Sequence, residues 1–186
     1  MSATLGFTPE GYLDVPVTKP ATEYFDGRLV QKTSPLGAHG RLQGAMTFFL
    51  MTWNRTGPFG WVAPEWDFDI VLHDGTVARV VPDVAYVPYE RIPRDQPQLA
   101  QVPRMAPAVA VEILSPNDPN RPNVRRKLDL YRRAGSTVVI VDEATRSITV
   151  YDRSEERTYR EGDVLEIAAM PGFRLDVAEY FAEAED

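Results

Sequence analysis

The sequence contains no cysteine, only two histidines and no long hydrophobic run. Without cysteine the chain cannot form a disulfide, a thiolate zinc site or a cysteine nucleophile. His39 and His73 cannot by themselves supply a three-histidine metal site. No apolar run reaches the roughly 18 residues that a membrane-spanning helix needs. Because the first basic residue is Lys19, the charged start of a secretory signal is also absent, and we expect a soluble, cytoplasmic protein.

The 186 residues, 44% hydrophobic and 25% charged, have an ordinary globular composition. They predict one domain over 1–186, with a loose Pro- and Thr-rich arm over 1–20. The net charge of −7 comes from residues 152–186, which carry 11 acidic and four basic side chains, whereas residues 1–151 are balanced. An acidic protein is a poor partner for phosphate, but this uneven distribution weakens that objection to nucleic-acid binding.

Hydrophobic periodicity and turn residues predict short strands interspersed with helices. The predicted helices cover 37–53, 123–134 and 177–182, and Asn123 is expected to cap the second. The predicted strands cover 28–32, 59–63, 66–72, 80–87, 108–114, 137–141, 148–151 and 164–167. The proline-rich segment 88–107 predicts an extended loop. This order indicates an α/β (α+β) fold in which helices flank a mixed β-sheet, with C-terminal β-hairpin additions.

Two acidic residues occupy positions that are unusual for surface side chains. Glu112 lies within the apolar strand 108–114, where alternation places it on the same face as Ala110 and Leu114. An ionised, unpaired carboxylate there would cost several kcal/mol, so Glu112 needs a cation, a metal ion or hydrogen bonds. Asp83 follows Pro82 directly at the predicted strand 80–87 and has the same character.

Each acid also has a purely structural interpretation. Asp83 could form a turn with Pro82, and Glu112 could pair with an arginine. Together, on two strands expected to be adjacent, the two acids predict a site for a divalent cation. Mg²⁺ prefers carboxylate oxygens and acts on phosphate substrates, and Mn²⁺ is the expected substitute.

The helix predicted after Glu112 supplies a cation. Its inward stripe is expected to consist of Val124, Leu128 and Tyr131. Lys127 lies about 60° from Val124 and about 40° from Tyr131 on a helical wheel, so it can point toward the sheet. The alternative is that its stem only covers the edge of the core while its ammonium reaches solvent.

The same helix carries a dense group of arginines, which include Arg125 and Arg126. On the wheel Arg126 points away from the sheet. These side chains form either a solvated face or a clamp for nucleic-acid phosphates.

Three further residues are weaker candidates for the site: Glu23, His39 and Glu65. Their support is their position near the starts of predicted elements. Ser115 lies in a turn before Pro116, and no base is expected beside it to activate the hydroxyl. The sequence has no Gly-x-Ser-x-Gly elbow and no glycine-rich phosphate-binding loop.

Several of these segments, taken in order, resemble the Uma family of bacterial endonucleases, a branch of the PD-(D/E)XK, restriction-endonuclease-like superfamily. The matching segments are Glu-Tyr-Phe-Asp-Gly-Arg-Leu-Val (23–30), His39, Pro82-Asp83, Val-Glu-Ile-Leu-Ser-Pro (111–116), Arg-Lys-Leu-Asp-Leu-Tyr-Arg-Arg-Ala-Gly (126–135), Val-Val-Ile-Val-Asp (138–142), Glu-Gly-Asp-Val-Leu (161–165) and Pro-Gly-Phe (171–173). They extend over most of the chain.

The resemblance implies a nuclease core in which Asp83 and Glu112 bind Mg²⁺. In the superfamily a lysine follows the second acid by two residues, but here that position is Leu114. The family supplies the lysine from the next helix, and Lys127 matches. It implies DNA cleavage in which Asp83, Glu112 and the Ile113 carbonyl hold the metal and Lys127 orients or deprotonates a water.

Two other functions remain open at this stage. One is a binding or regulatory protein that keeps the nuclease fold without its activity, and the other is a phosphohydrolase for small nucleotides. A homodimer is expected only because cutting both strands of a duplex needs two sites.

Overall fold

The computed structural model describes residues 5–34, 37–116, 121–153 and 155–185. The α-helices are α1 (Gly37–Asn54), α2 (Arg121–Arg133) and α3 (Val177–Glu183), and a short 3₁₀ helix covers Pro97–Ala100. The strands are β1 (Thr22–Phe25), β2 (Arg28–Gln31), β3 (Gly60–Pro64), β4 (Phe68–Val71), β5 (Val77–Val80), β6 (Val84–Pro88), β7 (Val109–Leu114), β8 (Thr137–Asp142), β9 (Ser147–Asp152), β10 (Glu155–Tyr159), β11 (Val164–Glu166) and β12 (Arg174–Asp176). Within the described ranges, no helix is both long and apolar enough to cross a membrane.

The central sheet has six strands in the order β10-β9-β8-β7-β6-β3. Strands β7 and β8 are parallel and their other neighbours are antiparallel, so the sheet is mixed. A second sheet has the order β2-β1-β5-β4, and β11 pairs with β12 as a C-terminal hairpin. This arrangement confirms the predicted fold class.

The central sheet separates two hydrophobic cores. On one face, Val109, Val111 and Ile113 of β7 pack in a core with residues of α1 and α3. On the other face, Ala110 packs in a core with α2 and the second sheet. The alternation predicted for β7 is therefore present, and it directs Glu112 toward α2 because Glu112 shares the face of Ala110.

The single strand predicted over 80–87 is wrong. Val80 is the last residue of β5 in the second sheet, and β6 of the central sheet begins at Val84. The chain crosses between the sheets at Pro82, which has no N–H to continue a ladder. Residue Val84 pairs with Val111, and extending this register by one residue places Asp83 opposite Glu112. The pairing of β6 with β7 therefore brings the two acids together.

Other expectations also need correction. Asn123 does not cap α2, since it lies inside the helix. The inward stripe of α2 contains Leu130, while Leu128 is only half-buried. The sequence did not predict β1, β10 and β12. The two strands predicted late in the chain therefore each have a partner that was not predicted, β10 beside β9 and β12 beside β11.

The arm predicted to be loose is packed over part of its length. Leu13 and Val15 are buried against Tyr24. The backbone N–H of Leu13 donates to Asp69 Oδ2 at 2.9 Å. Because Asp69 also pairs with Arg79 at 2.6 Å, the arm is tied to a charged pair of the second sheet.

Candidate active site

A cavity of about 790 Å³ opens where the two sheets meet α1 and α2. Asp83, Glu112 and Lys127, the three residues predicted to carry the chemistry, all line it. Each of them is at most 3% exposed. The cavity therefore collects charged groups from the link between β5 and β6, from β7 and from α2.

Asp83 is held by its two carboxylate oxygens. Oδ2 accepts the backbone N–H of Ile113 at 2.7 Å, and Oδ1 lies 2.9 Å from Lys32 Nζ. Oδ1 is also 3.4 Å from Nε2 of His39. Burial alone would raise the pKa of Asp83, but attraction to Lys32 and the His39 contact hold it well below its usual value. Asp83 is therefore a carboxylate at neutral pH.

Glu112 lies within reach of α2. Its Oε1 is 2.7 Å from Lys127 Nζ and accepts the hydroxyl of Tyr131 at 3.1 Å. Burial raises the pKa of Glu112 to about 7; Lys127 opposes the rise, and the neighbouring Asp83 and Glu23 add to it. Lys127 alone therefore does not offset the effect of burial on the Glu112 carboxylate, and a further cation would stabilise its ionised form.

Lys127 points from α2 toward the sheet, as the helical wheel indicated. Its ammonium lies 2.8 Å from Glu23 Oε1 as well as 2.7 Å from Glu112. Burial alone would lower the pKa of Lys127, but the two carboxylates raise it above the usual lysine value. Lys127 is therefore a fixed cation.

The three weaker candidates also lie around the cavity. Glu23 accepts the backbone N–H of Val81 at 2.8 Å through the same oxygen that contacts Lys127. Glu65 pairs with Lys32, whose Nζ is 2.9 Å from Oε1. Burial would lower the pKa of His39, but its contact with Asp83 raises it.

One expectation about this region is wrong. The sequence predicted no base beside Ser115, but its Oγ is 3.5 Å from Nδ1 of His39. The two residues are 76 positions apart, so no local pattern reveals the contact.

The sequence analysis missed four residues of the site: Lys32, Gln43, Asp67 and Tyr131. Lys32 stood at the end of a predicted strand without any feature to separate it from other surface lysines. Tyr131 belonged to the predicted inward stripe of α2, but periodicity does not reveal that its hydroxyl binds a carboxylate. No local sequence pattern distinguishes these residues, because their closeness to the acids depends on the fold.

Arg125 and Arg126 lie outside the cavity on the exposed face of α2. Arg126 is 4.0 Å from Asp26, and its side chain is 43% exposed. Both guanidinium groups are therefore accessible next to the site without being part of it.

The donor atoms at the cavity fit a hard divalent cation. The described part of the chain contains no group of three or more His, Asp or Glu side chains arranged for metal binding. Mg²⁺ does not need one, since it binds through one or two carboxylates and keeps several waters. The carbonyl of Leu114 faces β8, where it accepts from Glu143, so the alternate residue Ile113 turns its N–H and C=O toward Asp83. Asp83, Glu112 and Ile113 thus all line the same cavity.

The charge of the cluster fits the same ion. Ion pairs join four carboxylates to two lysines: Glu23, Glu65, Asp83 and Glu112 to Lys32 and Lys127. With all four carboxylates ionised and His39 neutral, the cluster carries two negative charges in excess, which one divalent cation would balance.

Residues 9–178 match the model of the Uma2 family, which is described as "Putative restriction endonuclease". The chain belongs to the Uma2 family. Its structure is also similar to the crystal structure of a putative nuclease belonging to DUF820 from Anabaena variabilis ATCC 29413. That match has a TM-score of 0.79 and 22% identity, and it covers 91% of this chain and 94% of the other. No curated protein matches the chain.

The Uma2 match confirms the resemblance found in the sequence, and the structural match establishes a restriction-endonuclease-like fold. In this Uma2 chain, the position two residues after Glu112 is Leu114, which packs at the edge of the α2 core. Lys127 instead places an ammonium 2.7 Å from Glu112.

Proposed function

We propose that this chain is a Mg²⁺-dependent endonuclease that hydrolyses phosphodiester bonds of DNA. The observation that carries the proposal is the meeting of Asp83 and Glu112 across β6 and β7, with Lys127 beside Glu112 in the same cavity. Membership of the Uma2 family supports the nuclease class.

Asp83, Glu112 and the carbonyl of Ile113 would hold the metal. When bound, Mg²⁺ supplies Lewis acidity that polarises the phosphodiester and lowers the pKa of a water. Mn²⁺ would substitute because it accepts the same oxygen ligands. The hydrogen bond from Ile113 N–H to Asp83 Oδ2 fixes this carboxylate relative to β7 before any metal binds.

Lys127 would stabilise the negative charge that develops on the phosphate and orient the attacking water. Glu23 and Glu112 hold its ammonium from two sides, so the charge is positioned before the substrate arrives. Because Lys127 keeps its proton in this environment, its role would be electrostatic.

The exposed arginines of α2 would bind DNA phosphates that flank the cavity. We expect the double variant Arg125→Ala/Arg126→Ala to weaken DNA binding and to reduce the salt dependence of the affinity. Each lost phosphate contact should lower the slope of log K against log salt by about 0.9. Fluorescence anisotropy at several salt concentrations measures both effects.

The matched control for this variant is Arg157→Ala. Arg157 lies on β10, at the far edge of the central sheet from β6, and stacks over Tyr159. Its removal should leave the slope unchanged. If the slope of log K against log salt were also unchanged in the double variant, Arg125 and Arg126 would not bind DNA phosphates.

Cleavage of supercoiled plasmid tests the proposed function. The wild type should nick or cut the plasmid with Mg²⁺ or Mn²⁺ and should be inactive with EDTA. Glu112→Gln should lose this activity, since the amide cannot supply the negative charge that binds the metal. Glu90→Gln is the control because Glu90 is exposed and does not line the cavity.

The same assay separates the other two functions. Absence of cleavage by the wild type at protein excess, with either metal, would favour a non-catalytic relative that retains the fold. Metal-dependent hydrolysis of small nucleotides without plasmid cleavage would favour a phosphohydrolase. Full activity in Glu112→Gln would contradict the assignment of the metal site.

A further inference from the structure

Lys32 makes an unusually complete set of contacts at the cavity wall. Its ammonium donates to Asp83 Oδ1 at 2.9 Å, to both carboxylate oxygens of Glu65 at 2.9 and 3.0 Å, and to the carbonyl of Val81 at 3.0 Å. A lysine ammonium has three donors, so four acceptors are one more than it needs. Lys32 can therefore lose one acceptor and remain fully bonded.

The two lysines of the site differ in their surroundings. Lys127 has a side chain that is 3% exposed and lies between two buried carboxylates. The side chain of Lys32 is 14% exposed, and its partner Glu65 is 45% exposed. Lys32 thus has room to move toward the open side of the cavity, whereas Lys127 is enclosed.

Glu65 is itself held in place as an anchor for Lys32. Gln43 Nε2 donates to Glu65 Oε1 at 3.0 Å and to the carbonyl of Asp83 at 2.8 Å. The N–H of Glu65 donates to the same Asp83 carbonyl at 3.2 Å. The link between β3 and β4 therefore keeps the Glu65 carboxylate close to Lys32 whether or not Asp83 is available.

We propose that Lys32 is a built-in competitor of the metal: its ammonium occupies the Asp83 oxygen that a divalent cation would bind, and the cation displaces it toward Glu65. This inference rests on the metal site of the proposed function. The displaced ammonium keeps Glu65 and Val81 as acceptors, so no donor is left unsatisfied. Lys32 is thus a positioning residue that keeps Asp83 charged and ordered without metal and sets the affinity for the ion.

The competition is electrostatic. A divalent cation and an ammonium cannot both lie against Asp83 Oδ1 without strong repulsion. Removing the ammonium leaves Asp83 without its main counter-ion, so a cation in its place is favoured. Loss of a positive charge from a cation site should therefore tighten metal binding, the reverse of what loss of a structural residue would do.

Mn²⁺ titration of Lys32→Gln by calorimetry tests the proposal, with thermal unfolding followed in parallel. The glutamine amide can still donate to Asp83 but carries no charge. We expect Mn²⁺ to bind at least about tenfold more tightly than to the wild type, and to raise the Tm by a larger increment. The control is Lys19→Gln, which removes a charge from the same cavity at an exposed lysine. The Mn²⁺ affinity of Lys19→Gln should stay within about twofold of that of the wild type.

A double-mutant cycle with Glu65→Gln tests the route of the effect. In the wild type, Glu65→Gln removes the anchor toward which Lys32 is displaced, so Mn²⁺ binding should weaken. In the Lys32→Gln background the same change should have little effect. Equal weakening in both backgrounds would mean that Glu65 acts on the metal directly, which would overturn the proposed route.

The outcomes separate this inference from the proposed function. If the wild type binds Mn²⁺ and Lys32→Gln binds it no more tightly, the competition is overturned and the metal site stands. If neither protein binds Mn²⁺, both the metal site and the competition fail. Should Lys32→Gln unfold without metal, the comparison is made in a stabilising osmolyte in which both proteins are folded: tighter Mn²⁺ binding by the variant supports the proposal, and equal or weaker binding overturns it.

Discussion

Replacing Lys127 with methionine is expected to lower the free energy of unfolding by about 3–5 kcal/mol and to abolish metal-dependent cleavage. Glu23 and Glu112 are each 3% exposed and share the Lys127 ammonium. Without it, two buried carboxylates lose their common counter-ion. Urea unfolding followed by circular dichroism measures the loss of stability.

Cleavage by this variant is compared only under conditions where it is folded, since an unfolded chain would also be inactive. Lys19→Met is the matched control, because Lys19 is exposed and takes no part in the cluster of ion pairs. If Lys127→Met were as stable as the wild type and cleaved DNA fully, Lys127 would have neither a structural nor a catalytic role.

The second large effect is expected for Asp83→Asn. The asparagine can still accept the N–H of Ile113, so the connection to β7 is retained, but the charge that would bind the metal is lost. Mn²⁺ affinity should fall by more than the ~10–100-fold that removal of an outer-shell partner costs, and cleavage should disappear with it. Calorimetry and the plasmid assay on the same preparation measure the two effects.

Asp142→Asn provides the control for this substitution. Asp142 ends β8, opposite Leu114 in the register, and pairs with Arg121 at 3.2 Å without lining the cavity. It is therefore an aspartate of the same sheet outside the site. Equal loss of Mn²⁺ binding in both variants would indicate a general effect of charge, and unaltered binding in Asp83→Asn would exclude Asp83 as a ligand.

Local patterns in the sequence were sufficient to predict the features that depend on a single helix or strand. Alternation along β7 gave the face of Glu112, because a strand buried on both sides has few alternatives. The helical wheel of α2 gave the direction of Lys127, because periodicity fixes which side of a helix faces the sheet. Both assignments concern direction, and direction follows from local backbone geometry.

Features that depend on two distant segments could not be obtained in this way. The sequence predicted that the strands of Asp83 and Glu112 are adjacent, but the strand predicted over 80–87 concealed the crossing between the two sheets. The register that places Asp83 opposite Glu112 requires the pairing of β6 with β7. Lys32 contacts Asp83 across 51 residues of sequence, and no periodicity reports such a contact. The polar strand β10 was missed because its exposed edge position requires no hydrophobic alternation.

The central claim is that Asp83 and Glu112 together hold a divalent cation. Its most direct test is a crystal structure with Mn²⁺, in which anomalous scattering locates the ion. We expect one strong peak in the cavity, about 2.0–2.3 Å from a carboxylate oxygen of each residue. A peak elsewhere, or none at the Mn²⁺ concentration that supports cleavage, would contradict it.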